Sequence, residues 1–189
     1  MALTPGLGEL RAEAIACTRC PLSEKRRQVV FGYGKLDAGL MIVGEAPGVD
    51  EDAQGRPFVG RAGKALDALM AEAGIDWHDA YVMNVVMCRP PGNRRPRVDE
   101  IAACAPYLDA QIRLVRPRVV LALGATATQR LLGRGVTVTA SRGIPRPRGD
   151  AVVIPTFHPS PSALNRVAGR RAMVSADFRL AHELASSPR

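Results

Sequence analysis

The 189 residues are 47% hydrophobic, enough for one well-packed domain and too apolar for a disordered chain. No apolar run approaches the roughly 18 residues of a membrane span, and the start MALTPGLGELRAEAIA lacks the basic and apolar blocks of a signal peptide, so a cytoplasmic, nucleoid-associated location is expected. Lys and Arg number 26 against 18 Asp and Glu, a net charge of +8, which makes nucleic acid a reasonable partner, although an arginine-rich soluble surface would look the same.

In chain order, the N-terminal segment has little apolar content of its own. Residues 40–43 (LMIV) run into GEAPG and predict a buried strand entering a loop. Residues 63–73 have helical periodicity and stop at Gly74. Residues 81–87 are strand-like. Residues 89–97 (RPPGNRRPR) are broken by proline and predict a loop. A long amphipathic helix is expected over 98–115, halted before Pro117. Residues 119–123 (VVLAL) predict another buried strand, and 125–132 a short helix. A second proline-broken loop covers 141–150 (SRGIPRPRGD). Residues 152–155 make the last core strand and 171–185 the last helix. This alternation predicts an α/β fold, a parallel sheet with helices on both faces. There is no internal repeat, and residues 1–189 are expected to form a single domain. Ligands bind such sheets beyond the carboxyl ends of the strands, where GEAPG, Asn84 and His158-Pro159-Ser160 fall.

Cys17 and Cys20 form a C-x2-C pair; Cys88 follows a strand and Cys104 lies inside the long helix. Four cysteines in such a chain suggest a metal site rather than a disulfide framework. Four thiolates suit tetrahedral zinc or an iron–sulfur cluster, and spacing does not choose between them. A redox C-x2-C with two ordinary buried thiols is the competing reading. A bound group would tie the N-terminal segment to the strand end and the helix.

Three segments, GEAPGVDEDAQGRPFVG at 44–60, NVVMCRPPGN at 84–93 and His158-Pro159-Ser160, resemble the family-four uracil-DNA glycosylases. The interleaved cysteines Cys17, Cys20, Cys88 and Cys104 are similar to that family's 4Fe–4S ligand set. The resemblance implies a three-layer α/β/α fold with a four-stranded parallel sheet. It implies excision of a uracil flipped out of DNA, leaving an abasic site.

Breaking the N-glycosidic bond creates a cationic sugar and a uracil anion, so the reaction needs donors aimed at the uracil carbonyls and a positioned water. His158 would donate to uracil O2. Asn84 offers both a donor and an acceptor to the O4 and N3–H edge, which cytosine would present with the wrong polarity. Phe58 would stack on the base. Family-one enzymes place a water-orienting aspartate where this chain has Ala46, so Glu45 is expected to hold the water, with Asn93 as helper and Glu51 behind. Gly44 and Gly48 would let the backbone approach the base. Arg89, Arg94, Arg95 and Arg97 would line phosphates. The segment after His158, with Ser160, Ser162, Arg166, Arg170 and Arg171, resembles a minor-groove loop with Leu164 as its apolar wedge.

Two departures stand out. Met87 replaces a lysine usual in family four, and the ending PSPSALNRVAGRR is partly like family five, whose substrate range is wider. RPPGNRRPR has no histidine, so covalent capture of DNA is not expected. Two further alternatives are a weakly active or inactive nucleic-acid binding domain and a zinc hydrolase. The latter is disfavoured because the histidines, at 78, 158 and 182, have no paired spacing. A monomer without membrane attachment is expected.

Overall fold

A computed structural model describes residues 5–187. Its helices are α1 (Pro5–Ala16), α2 (Val49–Gln54), α3 (Arg61–Glu72), α4 (Val98–Val115), α5 (Gly124–Leu132), α6 (Val138–Ser141), α7 (Pro161–Leu164) and α8 (Arg170–Ser186). Its strands are β1 (Tyr33–Gly34), β2 (Leu40–Gly44), β3 (Ala80–Asn84), β4 (Val119–Leu123), β5 (Arg146–Arg148) and β6 (Ala151–Thr156).

The sheet order is β1-β3-β2-β4-β6-β5. The four central strands are mutually parallel, as the sequence led us to expect. The sheet nevertheless has six strands, because β1 and β5 pair antiparallel at its two edges. Both edges are short and polar, and β5 (RPR) carries Pro147, which an edge strand tolerates.

Strand alternation sends successive side chains to opposite layers. Met41, Val43, Tyr81, Met83, Val120 and Ala122 pack against Leu7 and Ala14 of α1, Tyr107 and Leu108 of α4, and Leu131 of α5. Ile42, Val82 and Leu121, with Ile154, face Leu66 and Leu69 of α3 and Val174 and Phe178 of α8. The result is the α/β/α sandwich. Helix α4 ends where expected, with Arg116 in the left-handed region (φ 51°) just before Pro117, which cannot continue a helix. Strand β3 is shorter than predicted. Val85 and Val86 are buried, but their amides turn to the carbonyls of Gly44 and Glu45. Among the described residues, no helix is long and apolar enough to cross a membrane.

The chain leaves β2 for β3 on one side, then crosses back to β4 on the other. The resulting switch point lies beside β2 at the carboxyl edge of the sheet, where parallel folds open a crevice.

Candidate active site

A cleft of about 690 Å³ opens at that edge. Glu45 and Ala46 after β2, Asn84 at the end of β3 and His158 after β6 all line it, together with Gly48, Glu51, Phe58, Asn93, Arg94 and Ser160.

Gly44 is required here by space. A Cβ on it would stand 2.5 Å from both the Asn84 Oδ1 and the Phe58 Cζ atoms. The absent side chain lets the amide and the ring converge over the strand end. Phe58 is 8% exposed and packs in the core while forming the cleft wall. Its backbone is left-handed (φ 55°), an uncommon state for a bulky residue that clusters at functional sites.

Glu51 does not reach toward the cleft with a free carboxylate. Its Oε2 accepts from the Gly48 amide at 3.0 Å and its Oε1 from the Gly60 amide at 2.8 Å. It laces the two ends of the 48–60 loop together and caps the start of α3. The Gly48 N–H is thereby taken, so the expectation that it faces a base is corrected. Glu45 is half-buried, and its Oε2 accepts from the Thr126 hydroxyl. Asn93 is exposed, left-handed (φ 54°) and held through its Oδ1 by Arg89 Nε at 2.7 Å.

The His158 ring has a defined polarity. The Ser160 amide donates to Nδ1 at 3.1 Å, so the neutral ring carries its proton on Nε2. Burial lowers the pKa of His158 from the ordinary value near 6.5, against the opposing pull of Glu45. The strand end that delivers it is fixed from below. Thr156 Oγ1 donates at 2.7 Å to Asp177, which also accepts from Arg142 Nε at 3.1 Å. Beyond the strand, Arg170 lies 4.4 Å from the Phe157 ring centroid and donates to the Ala163 carbonyl at 3.0 Å.

The depressed pKa of His158 has a consequence for stability. Below about pH 6.5 the unfolded chain takes up the imidazole proton before the folded one does. Stability is therefore complete above that value and falls as pH drops through it toward the folded-state pKa. Urea denaturation at about pH 7.5 and about pH 5.5 should show a smaller loss in His158→Asn than in the parent. An equal loss in both would mean that His158 ionises alike in the folded and unfolded chains.

Several predicted DNA contacts are spent on the protein itself. Arg94 grips the fully buried Glu100 with both terminal nitrogens, one at 2.5 Å and the other at 2.8 Å, so its fork is not open to phosphate. Arg95 donates from Nε to Thr126 and from Nη2 to Gln129, both at 2.9 Å. Arg97 and Arg166 are exposed. Leu164 is 4% exposed and packs with the α8 side of the core, so it is not presented as a wedge. In the same segment Val167 is the exposed apolar residue, at 48%. Sequence reasoning missed Thr126, a small polar residue in the first turn of α5 with no motif to mark it.

The uracil DNA glycosylase superfamily matches residues 31–180. The chain belongs to that superfamily. Within it, the chain is 49% identical over 164 residues to the type-4 uracil-DNA glycosylase of Thermotoga maritima, covering 86% of this chain and 85% of that one. It is 38% identical over 194 residues to the type-4 enzyme of Sulfurisphaera tokodaii, covering 97% and 86%. The type-5 uracil-DNA glycosylase of Pyrobaculum aerophilum is 30% identical over 189 residues, covering 80% and 81%.

The superfamily fold here carries a second feature away from the cleft. Cys17 and Cys20 after α1, Cys88 after β3 and Cys104 on α4 line one small cavity of about 20 Å³. Among the described residues, no three His, Cys, Asp or Glu side chains gather closely enough to hold a single metal ion. The donor set is nonetheless thiol-only, and a guanidinium N–H is aimed at one of its sulfurs. Arg26 Nη1 reaches Cys88 Sγ at 3.4 Å. Burial raises the Cys20 and Cys88 pKa values and pushes that of Cys104 up to about 12. Donors of this kind suit sulfurs that carry negative charge, as when they bind a metal or cluster. Arg26 also donates to the carbonyls of Ile15 and Cys17, each at 2.8 Å, fastening the N-terminal segment to the strand end. No motif marked it in the sequence.

Proposed function

We propose that this chain hydrolyses the N-glycosidic bond of uracil in DNA, as a single domain with a structural 4Fe–4S cluster on Cys17, Cys20, Cys88 and Cys104. One observation carries the reading: His158, Asn84, Phe58 and Glu45 line the same cleft at the carboxyl ends of the parallel strands.

The flipped uracil stacks on Phe58, and the Asn84 amide pairs with its O4 and N3–H edge. Gly44 leaves the room both need. As the C1′–N1 bond breaks, its electron pair moves onto the uracil ring and charge grows on O2. The Nε2–H of neutral His158 meets that charge. A water held by Glu45, with the Asn93 amide beside it, adds its oxygen to C1′ and gives a proton to the Glu45 carboxylate. The uracil anion then takes a proton from solvent and the Glu45 carboxyl returns one to solvent, so the products are free uracil and an abasic site. The carboxylate also places negative charge near the cationic sugar.

The cluster would supply iron–thiolate bonds that tie the N-terminal segment to β3 and α4. It takes no part in the reaction, because the cysteine cavity and the cleft have no lining residue in common.

The experiment is excision on single- and double-stranded oligonucleotides with one uracil, alongside a visible spectrum and an iron assay on fresh protein. Alkali-labile strands with release of free uracil are expected. Binding without any release would favour a non-catalytic module, and zinc in place of iron would replace the cluster.

DNA affinity should depend steeply on salt, and different arginines should contribute differently. Arg166→Ala, at an exposed side chain, should reduce the slope of log affinity against log salt by about one. Arg94→Ala should leave the slope nearly unchanged and lower the melting temperature instead, since it strands the buried Glu100 carboxylate. The reverse pattern would put Arg94 at the phosphates.

A further inference from the structure

We infer that Thr126 and Arg95 are positioning residues of the excision reaction, a two-step brace that holds the Glu45 carboxylate in place. The inference rests on the proposed role of Glu45 and extends it to residues outside the motifs.

The geometry fixes the direction of each bond. Arg95 Nε stands 2.9 Å from Thr126 Oγ1, and a guanidinium can only donate. The hydroxyl therefore accepts from Arg95, and its single proton goes to Glu45 Oε2. Gln129 Oε1 takes a second donor of Arg95 at 2.9 Å, anchoring the guanidinium one turn further along α5. Thr126 is 2% exposed, so its hydroxyl is satisfied by these two partners rather than by bulk water.

The brace matters because of where Glu45 sits. It is the first residue after β2, half-buried at the cleft wall, and Thr126 holds one of its two carboxylate oxygens. With Oε2 held, Oε1 has a defined position for the water. A displacement on the order of 1 Å in such a group can cost about a hundredfold in rate. The brace also starts in the 89–97 loop, which holds Asn93 through Arg89. One loop thus sets both groups assigned to the water.

The test is a double-mutant cycle on the full chain. Thr126→Val, Thr126→Ser and Arg95→Met are made alone and in a Glu45→Gln background. Single-turnover excision, affinity for uracil DNA and melting temperature are measured for each. Thr126→Val should slow excision on the order of tenfold, and Arg95→Met roughly threefold, the scale of a lost hydrogen bond to a charged group tempered by relaxation. Thr126→Ser, which keeps the hydroxyl, should restore most of the rate. In the Glu45→Gln background neither change should slow the reaction further, because the group they act through is already gone. The same loss in both backgrounds would overturn the brace while leaving Glu45 in its role. A normal rate in Glu45→Gln would overturn the role of Glu45 and the brace with it. If Thr126→Val does not fold, the Arg95→Met cycle decides, since that side chain is at the surface.

Discussion

His158→Ala is expected to slow single-turnover uracil excision by on the order of 10²–10³, the usual cost of removing one donor from a developing anion. Affinity for uracil DNA should change much less. The difference follows from when the hydrogen bond acts. Neutral uracil O2 is a modest acceptor, and the leaving anion is a strong one, so on the proposed role the Nε2–H would stabilise the transition state more than the bound substrate. The ring is already set for this, with Nδ1 occupied by the Ser160 amide and burial keeping it neutral. His158→Asn should recover part of the rate, because an amide can still donate. A histidine that served only packing would give another result: a lower melting temperature and a normal rate in the folded fraction. Rate, affinity and melting temperature taken on one preparation separate the two.

The second large effect is expected from Cys17→Ser, which should reduce cluster content, solubility and stability together. Cys17 is brought to Cys88 and Cys104 from far along the chain, and Arg26 ties its carbonyl to the same place. Cross-links that close loops of many tens of residues contribute on the order of 4 kcal/mol, a large share of the stability of a typical domain. Iron per protein, visible absorbance and urea midpoint should fall in parallel. A folded Cys17→Ser protein with full iron and an unchanged spectrum would remove Cys17 from the ligand set.

The central sheet was legible because burial on both faces leaves unbroken apolar runs, as in LMIV and VVLAL. Helix α4 was legible to the residue because periodicity and Pro117 agree. Hydropathy failed where burial and conformation part company. Val85 to Met87 are as buried as β3 itself yet lie in a turn, so the predicted strand ran too long. Helices α1 and α2 were missed for opposite reasons. The first is rich in Gly and Ala with few apolar anchors, and the second is six residues, three of them acidic, inside a motif that reads as a loop. The cleft residues were found through motif resemblance, and the structure gathers them. Glu51 and Arg94 show what residue type alone cannot tell. A carboxylate and a guanidinium in the right segment are drawn as readily to a backbone amide or a buried partner as to a substrate. Leu164 illustrates the same point for an apolar side chain at the end of the short helix α7.

The cysteine cavity also has a place in time. Its first two walls, Cys17 and Cys20, are made early, while Cys104 follows α3, β3 and the first third of α4. At synthesis rates of about 5–20 residues per second, several seconds separate the early pair from the fourth cysteine. The four cysteines come together only once Cys104 has been made, so the proposed cluster would be completed late in biogenesis. During that interval Cys17 and Cys20 lack the strand end and the helix that later enclose them.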